Sequence, residues 1–168
     1  MLELIDNTTN TLDSIGSDIT QIPHINEEYS KLMDCLDATN AKEGDLTVIE
    51  YYLPTCGHCK RYDEAFKAFA ELVENRDDIN TCQINFAAFE KDEDIMGNVV
   101  NNIIHISPEE GGLGFPLTII YDLYNHAELD YRMGNIAYNG LYNFVNHYKA
   151  IDENNPVDPF FGVELSNN

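Results

Sequence analysis

Basic residues are scarce in this sequence. Its 168 residues include 9 Lys and Arg against 30 Asp and Glu, which gives a formal net charge of −21 at pH 7. Such a field repels nucleic acid and anionic membrane surfaces, so we exclude both as partners and expect a solvated acidic surface. An apolar content of 43%, with 10 Tyr and 8 Phe, nevertheless indicates one folded domain with a full core.

The sequence also has no long apolar run, and its first residues do not match the pattern of a secretory leader. No stretch approaches membrane-spanning length, and the start, Met1-Leu-Glu-Leu-Ile-Asp6, carries acid where a signal would carry base. Four cysteines are too few for a disulfide scaffold. We therefore expect a cytoplasmic protein. Abundant Asn, Ile and Tyr indicate an AT-rich genome, as in some large DNA viruses, which adds the virion as a second expected location.

Two of the cysteines, Cys56 and Cys59, lie where a strand is predicted to turn into a helix. The run from 46 to 53 is β-branched, aromatic and apolar, which predicts a buried strand, and Pro54 ends it. Unpaired N–H groups and the helix dipole stabilise a negative charge at such a helix start, so the thiolate of Cys56 is favoured there. The helix itself is predicted by apolar residues at helical spacing: Tyr62, Phe66, Phe69 and Val73.

A strand, a Cys-x-x-Cys pair and a helix in this order indicate a redox site. The segment from 48 to 60, Val-Ile-Glu-Tyr-Tyr-Leu-Pro-Thr-Cys-Gly-His-Cys-Lys, resembles the active-site segment of protein disulfide isomerase domains in the thioredoxin superfamily. Thr55 departs from the family, which usually has tryptophan there. The alternative, half of a metal site, needs a second Cys or His pair at knuckle spacing, and the sequence has none.

The resemblance implies roles for four side chains. Cys56 would attack a substrate disulfide and Cys59 would resolve the mixed disulfide. A protonated His58 would stabilise the thiolate and make the centre oxidising, near roughly −180 mV against about −270 mV for thioredoxin. Glu50, a lone carboxylate in an apolar strand, matches the family's buried acid and would be the general base for Cys59. Its alternative is a solvent-facing glutamate, and that of His58 is an exposed turn residue.

The substrate side of the site is also implied by the resemblance. Phe115-Pro116 resembles the family's cis-proline loop, so these two residues and Gly57 would contact an extended substrate peptide. An ordinary trans turn is the alternative for Pro116. The family's arginine after the glycine that matches Gly134 is replaced by Asn135, which puts efficient reoxidation in doubt.

The predicted order of elements is helix, strand, helix, strand, helix, strand, strand, helix. This order is that of an α/β thioredoxin-like fold, in which helices flank a mixed central sheet. We expect an N-terminal extension (1–26), a thioredoxin-like domain (27–150) with a long insert (90–114), and a C-terminal tail (151–168). The predicted helices span 26–39, 57–75, 90–106 and 137–149, and the predicted strands span 46–53, 81–86, 117–124 and 127–133. Asn26 is predicted to cap the first helix, whose apolar face consists of Tyr29, Leu32, Met33 and Leu36. The last helix is predicted to point four residues inward: Leu141, Phe144, Val145 and Tyr148. Cys35 and Cys82 are expected to be small buried hydrophobes, with a bridge between them as the alternative.

The function expected from these features is thiol–disulfide exchange with protein thiols and disulfides. It would need no cofactor beyond the redox-active Cys56–Cys59 pair, and its redox partner, an oxidase or a reductase, is not identified by the sequence. One alternative is a thioredoxin-type reductant. The other is a binding module that uses the acidic face, the 90–114 insert or the aromatic tail.

Overall fold

The computed structural model describes residues 26–106 and 111–151. The predicted extensions, residues 1–25 and 152–168, and part of the insert, 107–110, lie outside the described residues. Within the described ranges, no helix is both long enough and apolar enough to span a bilayer. The helices are α1 (Glu27–Cys35), α2 (Gly57–Val73), α3 (Glu93–Asn98) and α4 (Tyr138–Asn146). The strands are β1 (Leu46–Tyr52), β2 (Ile79–Asn85), β3 (Leu117–Asp122) and β4 (Ala127–Met133).

The four strands form one mixed sheet in the order β2-β1-β3-β4. β1 is parallel to β2 and antiparallel to β3, and β3 is antiparallel to β4. A parallel pair needs a long crossover, which α2 supplies, whereas a short turn suffices between β3 and β4. The sheet and the order of elements confirm the predicted thioredoxin-like fold.

Strand β1 lies at the centre of the core because both faces of the sheet are covered. Its first six residues are all buried, which explains why the strand reads as a nearly continuous apolar run. Val48 packs on one face with α2 and α4, and Ile49 packs on the other face with α1 and the segment after β2. That segment contains a 3₁₀ turn (Phe86–Phe89), α3 and a π-helical turn (Val99–Ile103).

The ends of the helices differ from the predicted bounds. Asn26 caps α1 as expected, accepting a hydrogen bond from the Tyr29 N–H at 3.0 Å. The helix stops at Cys35 because Asp37 instead accepts from the Thr39 N–H, a local bond that competes with helix. Met33, predicted to face the core, is 44% exposed. The buried face of α1 is therefore narrower than predicted, since it contains only Leu32 and Cys35.

Tyr148 was expected to point inward from the last helix, and this prediction is wrong. α4 ends at Asn146, two residues before Tyr148, which is 36% exposed. The Tyr148 hydroxyl donates to Asp130 at 3.0 Å. The polar tip of the tyrosine therefore has its hydrogen bond at the surface rather than in the core. Leu141, Phe144 and Val145 are buried as predicted.

Cys35 and Cys82 form a disulfide, so the prediction of two free buried cysteines is wrong. Their Cα atoms lie 6.4 Å apart across a sequence separation of 47 residues. The bond joins the end of α1 to the middle of β2. In a chain-entropy treatment, a loop of this length stabilises the fold by about 4 kcal/mol. Sequence could not supply the Cα separation on which the bond depends.

Candidate active site

Cys56 is the N-cap residue of α2, directly after the turn that ends β1. Its backbone N–H donates to the Leu53 carbonyl at 3.0 Å, which closes the turn across Pro54. Its sulfur accepts a hydrogen bond from the Cys59 N–H at 3.2 Å, in the way that an N-cap side chain satisfies an unpaired helix N–H. Cys56 is partly exposed, whereas Cys59 is only 3% exposed, and both are free thiols.

The two thiols differ in acidity because their surroundings differ. Burial raises the pKa of Cys56, but hydrogen bonds from Cys59 and from the His58 N–H, together with the charge of Arg61, bring it below its ordinary value. Burial raises the pKa of Cys59 to about 11, and the neighbouring Cys56 and Glu50 act in the same direction. Cys56 is therefore the more acidic thiol of the pair and the one that ionises more readily, whereas Cys59 keeps its proton at neutral pH.

Glu50 is 1% exposed, as its place in an apolar strand predicted. Burial raises its pKa to about 7, although a hydrogen bond from Gln83 opposes this. Glu50 and Cys59 line the same cleft, which has a volume of about 330 Å³ and opens to solvent. A carboxylate with a pKa near neutrality can accept a proton from a thiol at this place.

His58 is exposed and hydrogen-bonded to a second side chain. Nη2 of Arg61 lies 2.7 Å from Nδ1 of His58. A guanidinium can only donate, so Nδ1 of His58 is the acceptor in this contact. The charge of Arg61 acts on Cys56 in this arrangement and lowers its pKa. The role of a protonated His58 stays a prediction.

The predicted substrate contacts come together beside Cys56. The Phe115–Pro116 peptide bond is cis, and the Phe115 carbonyl lies 3.6 Å from the Cys56 sulfur. The Gly134 N–H donates to the Pro116 carbonyl at 2.8 Å, which holds the loop against the start of the segment after β4. A Cβ placed on Gly57 would meet no atom within 4 Å, so the space in front of the motif is open.

The buried Phe86 packs against the cis-proline loop, and no pattern in the sequence identifies this contact. It follows β2 in the 3₁₀ turn, and its ring lies 5.0 Å from the ring of Phe115, centroid to centroid. Arg132, in contrast, does not replace the arginine missing at Asn135. Its guanidinium lies over the Phe144 ring at 4.5 Å and donates to a carboxylate of β4, so it is held at α4.

Three further polar residues surround Glu50 and are not predicted by the sequence. Gln83 is the register partner of Glu50 on the parallel strand β2. Asp63 and Lys67 lie one turn apart on α2 and form an ion pair at 2.6 Å. The i, i+4 spacing of Asp63 and Lys67 is a signal in the sequence, but only the fold places that pair next to Gln83. Among the described residues, no group of three or more His, Cys, Asp and Glu side chains could hold a metal ion.

No protein-family model matches the chain, and no curated protein matches it in sequence. Solved structures of thioredoxins are similar to it. Deadhead from Drosophila melanogaster is 17% identical, covering 71% of this chain and 90% of its own with a TM-score of 0.47. Thioredoxin f2 from Chlamydomonas reinhardtii is 16% identical, covering 74% and 94% with a TM-score of 0.49. Thioredoxin from Fasciola hepatica is 14% identical, covering 71% and 90% with a TM-score of 0.47.

Proposed function

We propose that this protein is a thiol–disulfide oxidoreductase that exchanges disulfides with protein substrates through Cys56 and Cys59. The observation that carries the proposal is the contrast between the two thiols. An accessible sulfur with a lowered pKa caps a helix, and a covered sulfur with a raised pKa lies one turn further along. Thiol–disulfide exchange needs one accessible, ionised sulfur to attack the substrate and a second sulfur that stays protonated until it resolves the mixed disulfide.

The reaction proceeds by two displacements at sulfur. The Cys56 thiolate attacks a substrate disulfide, a Cys56–substrate bond forms, and the first substrate sulfur leaves as a thiolate that takes a proton. Cys59 then gives its proton to Glu50, and its thiolate attacks the Cys56 sulfur to release the second substrate sulfur. The substrate gains two electrons and the dithiol becomes the Cys56–Cys59 disulfide. The reverse sequence oxidises a substrate dithiol.

The cis-proline loop supports an extended peptide as the substrate. The backbone of Phe115 faces the Cys56 sulfur, so a peptide strand laid along this loop would present its sulfur to Cys56. The Phe115 ring, packed against Phe86, would shape the neighbouring side-chain pocket.

An oxidising, disulfide-isomerase-like character is the finer part of the proposal. A thiolate that is stabilised in the reduced state makes the corresponding disulfide a stronger oxidant. The Cys-Gly-His-Cys sequence and the Arg61 charge support this direction. Equilibrating the pair in glutathione buffers measures its potential. A value near roughly −180 mV supports the oxidising form, and one near about −270 mV supports a thioredoxin-type reductant instead.

The Cys59→Ser variant tests the mechanism. With its resolving sulfur removed, the variant should accumulate a one-to-one mixed disulfide between Cys56 and a disulfide-containing peptide, visible by intact mass and by peptide mapping. The matched control is Cys56→Ser, which keeps Cys59 and should form no such adduct. An adduct of equal yield on Cys59 in the control variant would overturn the assignment of the nucleophile.

A further inference from the structure

Two carboxylates behind the cysteine pair share one amide group. Nε2 of Gln83 donates to Oε2 of Glu50 at 2.7 Å and to Oδ1 of Asp63 at 2.8 Å. Oδ2 of Asp63 accepts from Nζ of Lys67 at 2.6 Å. A continuous line of hydrogen bonds therefore joins the buried Glu50 to Lys67, whose side chain is 60% exposed.

The residues of this line come from two adjacent strands, β1 and β2, and from helix α2. Glu50 and Gln83 are register partners on parallel strands, so their side chains leave the sheet on the same face. Cys59, Asp63 and Lys67 recur every four residues along α2 and form one stripe on that helix. All five of these residues line the same solvent-open cleft.

The side chain that is hydrogen-bonded to Glu50 is the uncharged Gln83. The charges nearest to Glu50 in this line are those of the Asp63–Lys67 ion pair. Both hydrogens of the Gln83 amide nitrogen are engaged, one by each carboxylate, and an amide brings no net charge to offset an ionised Glu50. Oε1 of Glu50 takes no hydrogen bond from any described residue, so it is the oxygen free to accept a proton in the cleft that Glu50 and Cys59 share.

We propose that Asp63, Gln83 and Lys67 are positioning residues that set the basicity of Glu50, and through it the rate at which Cys59 resolves a mixed disulfide. The inference rests on the proposed function and adds the groups that control its proton transfer. Burial and the Asp63 charge raise the pKa of Glu50, while the Gln83 hydrogen bond and the Lys67 charge lower it. Asp63 and Lys67 thus act on Glu50 in opposite directions.

The groups that face Glu50 come from each element packed against it. α2 contributes Cys59, Lys60, Asp63 and Lys67. It also contributes the buried Tyr62, whose hydroxyl is hydrogen-bonded to Thr118 of β3 at 2.9 Å. β2 contributes Gln83, and β1 itself contributes Tyr52. Lys67 is the cation paired within this set, so its removal and the removal of Asp63 are the two informative changes.

The test uses Asp63→Asn and Lys67→Met in the full chain. In ¹³C-NMR titrations of Glu50, we expect Asp63→Asn to lower the pKa and Lys67→Met to raise it, each by roughly half a pH unit or more. In single-turnover resolution of a preformed Cys56–peptide disulfide, the pH profile should shift in the same direction. Both side chains are partly or largely exposed, so neither change removes core packing.

Matched controls remove the same charges away from the line. Glu71→Gln, on an exposed position of α2, and Lys31→Met, on an exposed position of α1, should leave the titration and the resolution profile unchanged. Shifts of the same sign in Asp63→Asn and Lys67→Met, no shift in either, or a carboxyl shift without a matching change in resolution would each overturn the proposal. These failures leave the Cys59→Ser adduct intact, whereas loss of that adduct would reject the proposed function itself.

Discussion

The protein contains two pairs of cysteines that its fold treats in opposite ways. Cys56 and Cys59 are close in sequence and free, whereas Cys35 and Cys82 are far apart in sequence and bonded. Cys56 caps a helix and is partly exposed. Cys35 ends a helix, where the dipole disfavours a thiolate, and it is packed in the apolar cluster on the other face of the sheet.

The difference shows that the position of a sulfur on its element determines its chemistry more than its proximity to a second sulfur does. A helix N-terminus supplies N–H donors that hold a thiolate, as the Cys59 N–H does for Cys56. The middle of a strand supplies none, because its N–H groups are committed to the sheet. The bonded pair joins α1 to the sheet, and the free pair is available for exchange.

The largest expected effect separates the two pairs by activity. Cys56→Ser should lower the rate of exchange with a peptide disulfide by roughly a thousandfold or more, since the nucleophile is lost. The double variant Cys35→Ala with Cys82→Ala should keep the rate within about threefold of the wild type. Stopped-flow measurement of peptide disulfide reduction decides this. A comparable loss in both variants would remove the distinction between a reactive pair and a structural pair.

Stability should reverse the order of the two pairs. Under non-reducing conditions, the Cys35→Ala and Cys82→Ala double variant should lose about 4 kcal/mol of unfolding free energy, because the 47-residue loop is no longer closed in the unfolded chain. Substitution of Cys56 and Cys59 by serine should cost about 1 kcal/mol or less. Urea unfolding followed by circular dichroism measures both, and equal losses would contradict the structural role of the disulfide.

Glu50 connects the reactive pair to stability through pH. Its folded pKa of about 7 lies above its ordinary value near 4.5, so ionising it in the fold is unfavourable. The cost is absent below pH 4.5, grows between pH 4.5 and 7, and is complete above pH 7 at about 3 kcal/mol. Glu50→Gln should therefore be more stable than the wild type at pH 8 and nearly equal to it at pH 4.

The same substitution should slow the resolution of a mixed disulfide by Cys59, because the proton acceptor is gone. Glu50→Gln should therefore be more stable than the wild type at pH 8 but slower in resolution. This combination is expected of a carboxylate that serves the reaction at a cost in stability. Glu71→Gln is the control for the lost charge, since Glu71 is exposed on α2. A variant that is less stable at pH 8 would show that Glu50 is a structural hydrogen-bond acceptor instead.

The reactive pair, Cys56 and Cys59, could be predicted from the sequence, whereas the disulfide between Cys35 and Cys82 could not. The strand, the Cys-x-x-Cys pair and the helix after it are adjacent in the chain, so local patterns place Cys56 at a helix start. The burial of Glu50 follows from the apolar residues on either side of it. The order of elements was likewise readable, because each strand and helix carries its own period of apolar residues.

Features that depend on distant segments escaped prediction. Cys35 and Cys82 meet only because α1 packs on β2, and Gln83 meets Asp63 only because parallel register brings β2 under α2. The end of α1 at Cys35, before the local turn of Asp37 and Thr39, was also not predicted. Contacts between distant elements depend on how those elements pack against one another, and the pattern within one element does not identify its partner residues on another.

The smallest effect tests whether the disulfide acts alone in holding α1 to the sheet. The Thr47 hydroxyl, fully buried on β1, donates to the Cys35 carbonyl at 3.0 Å. Thr47→Val keeps the shape but leaves that carbonyl without its donor, so we expect a loss of about 1 kcal/mol in urea unfolding. In the chain that lacks the disulfide, α1 is freer to move and the carbonyl can reach water, so the same substitution should cost less. A double-mutant cycle measures the coupling, and strictly additive losses would show that the two contacts anchor α1 independently.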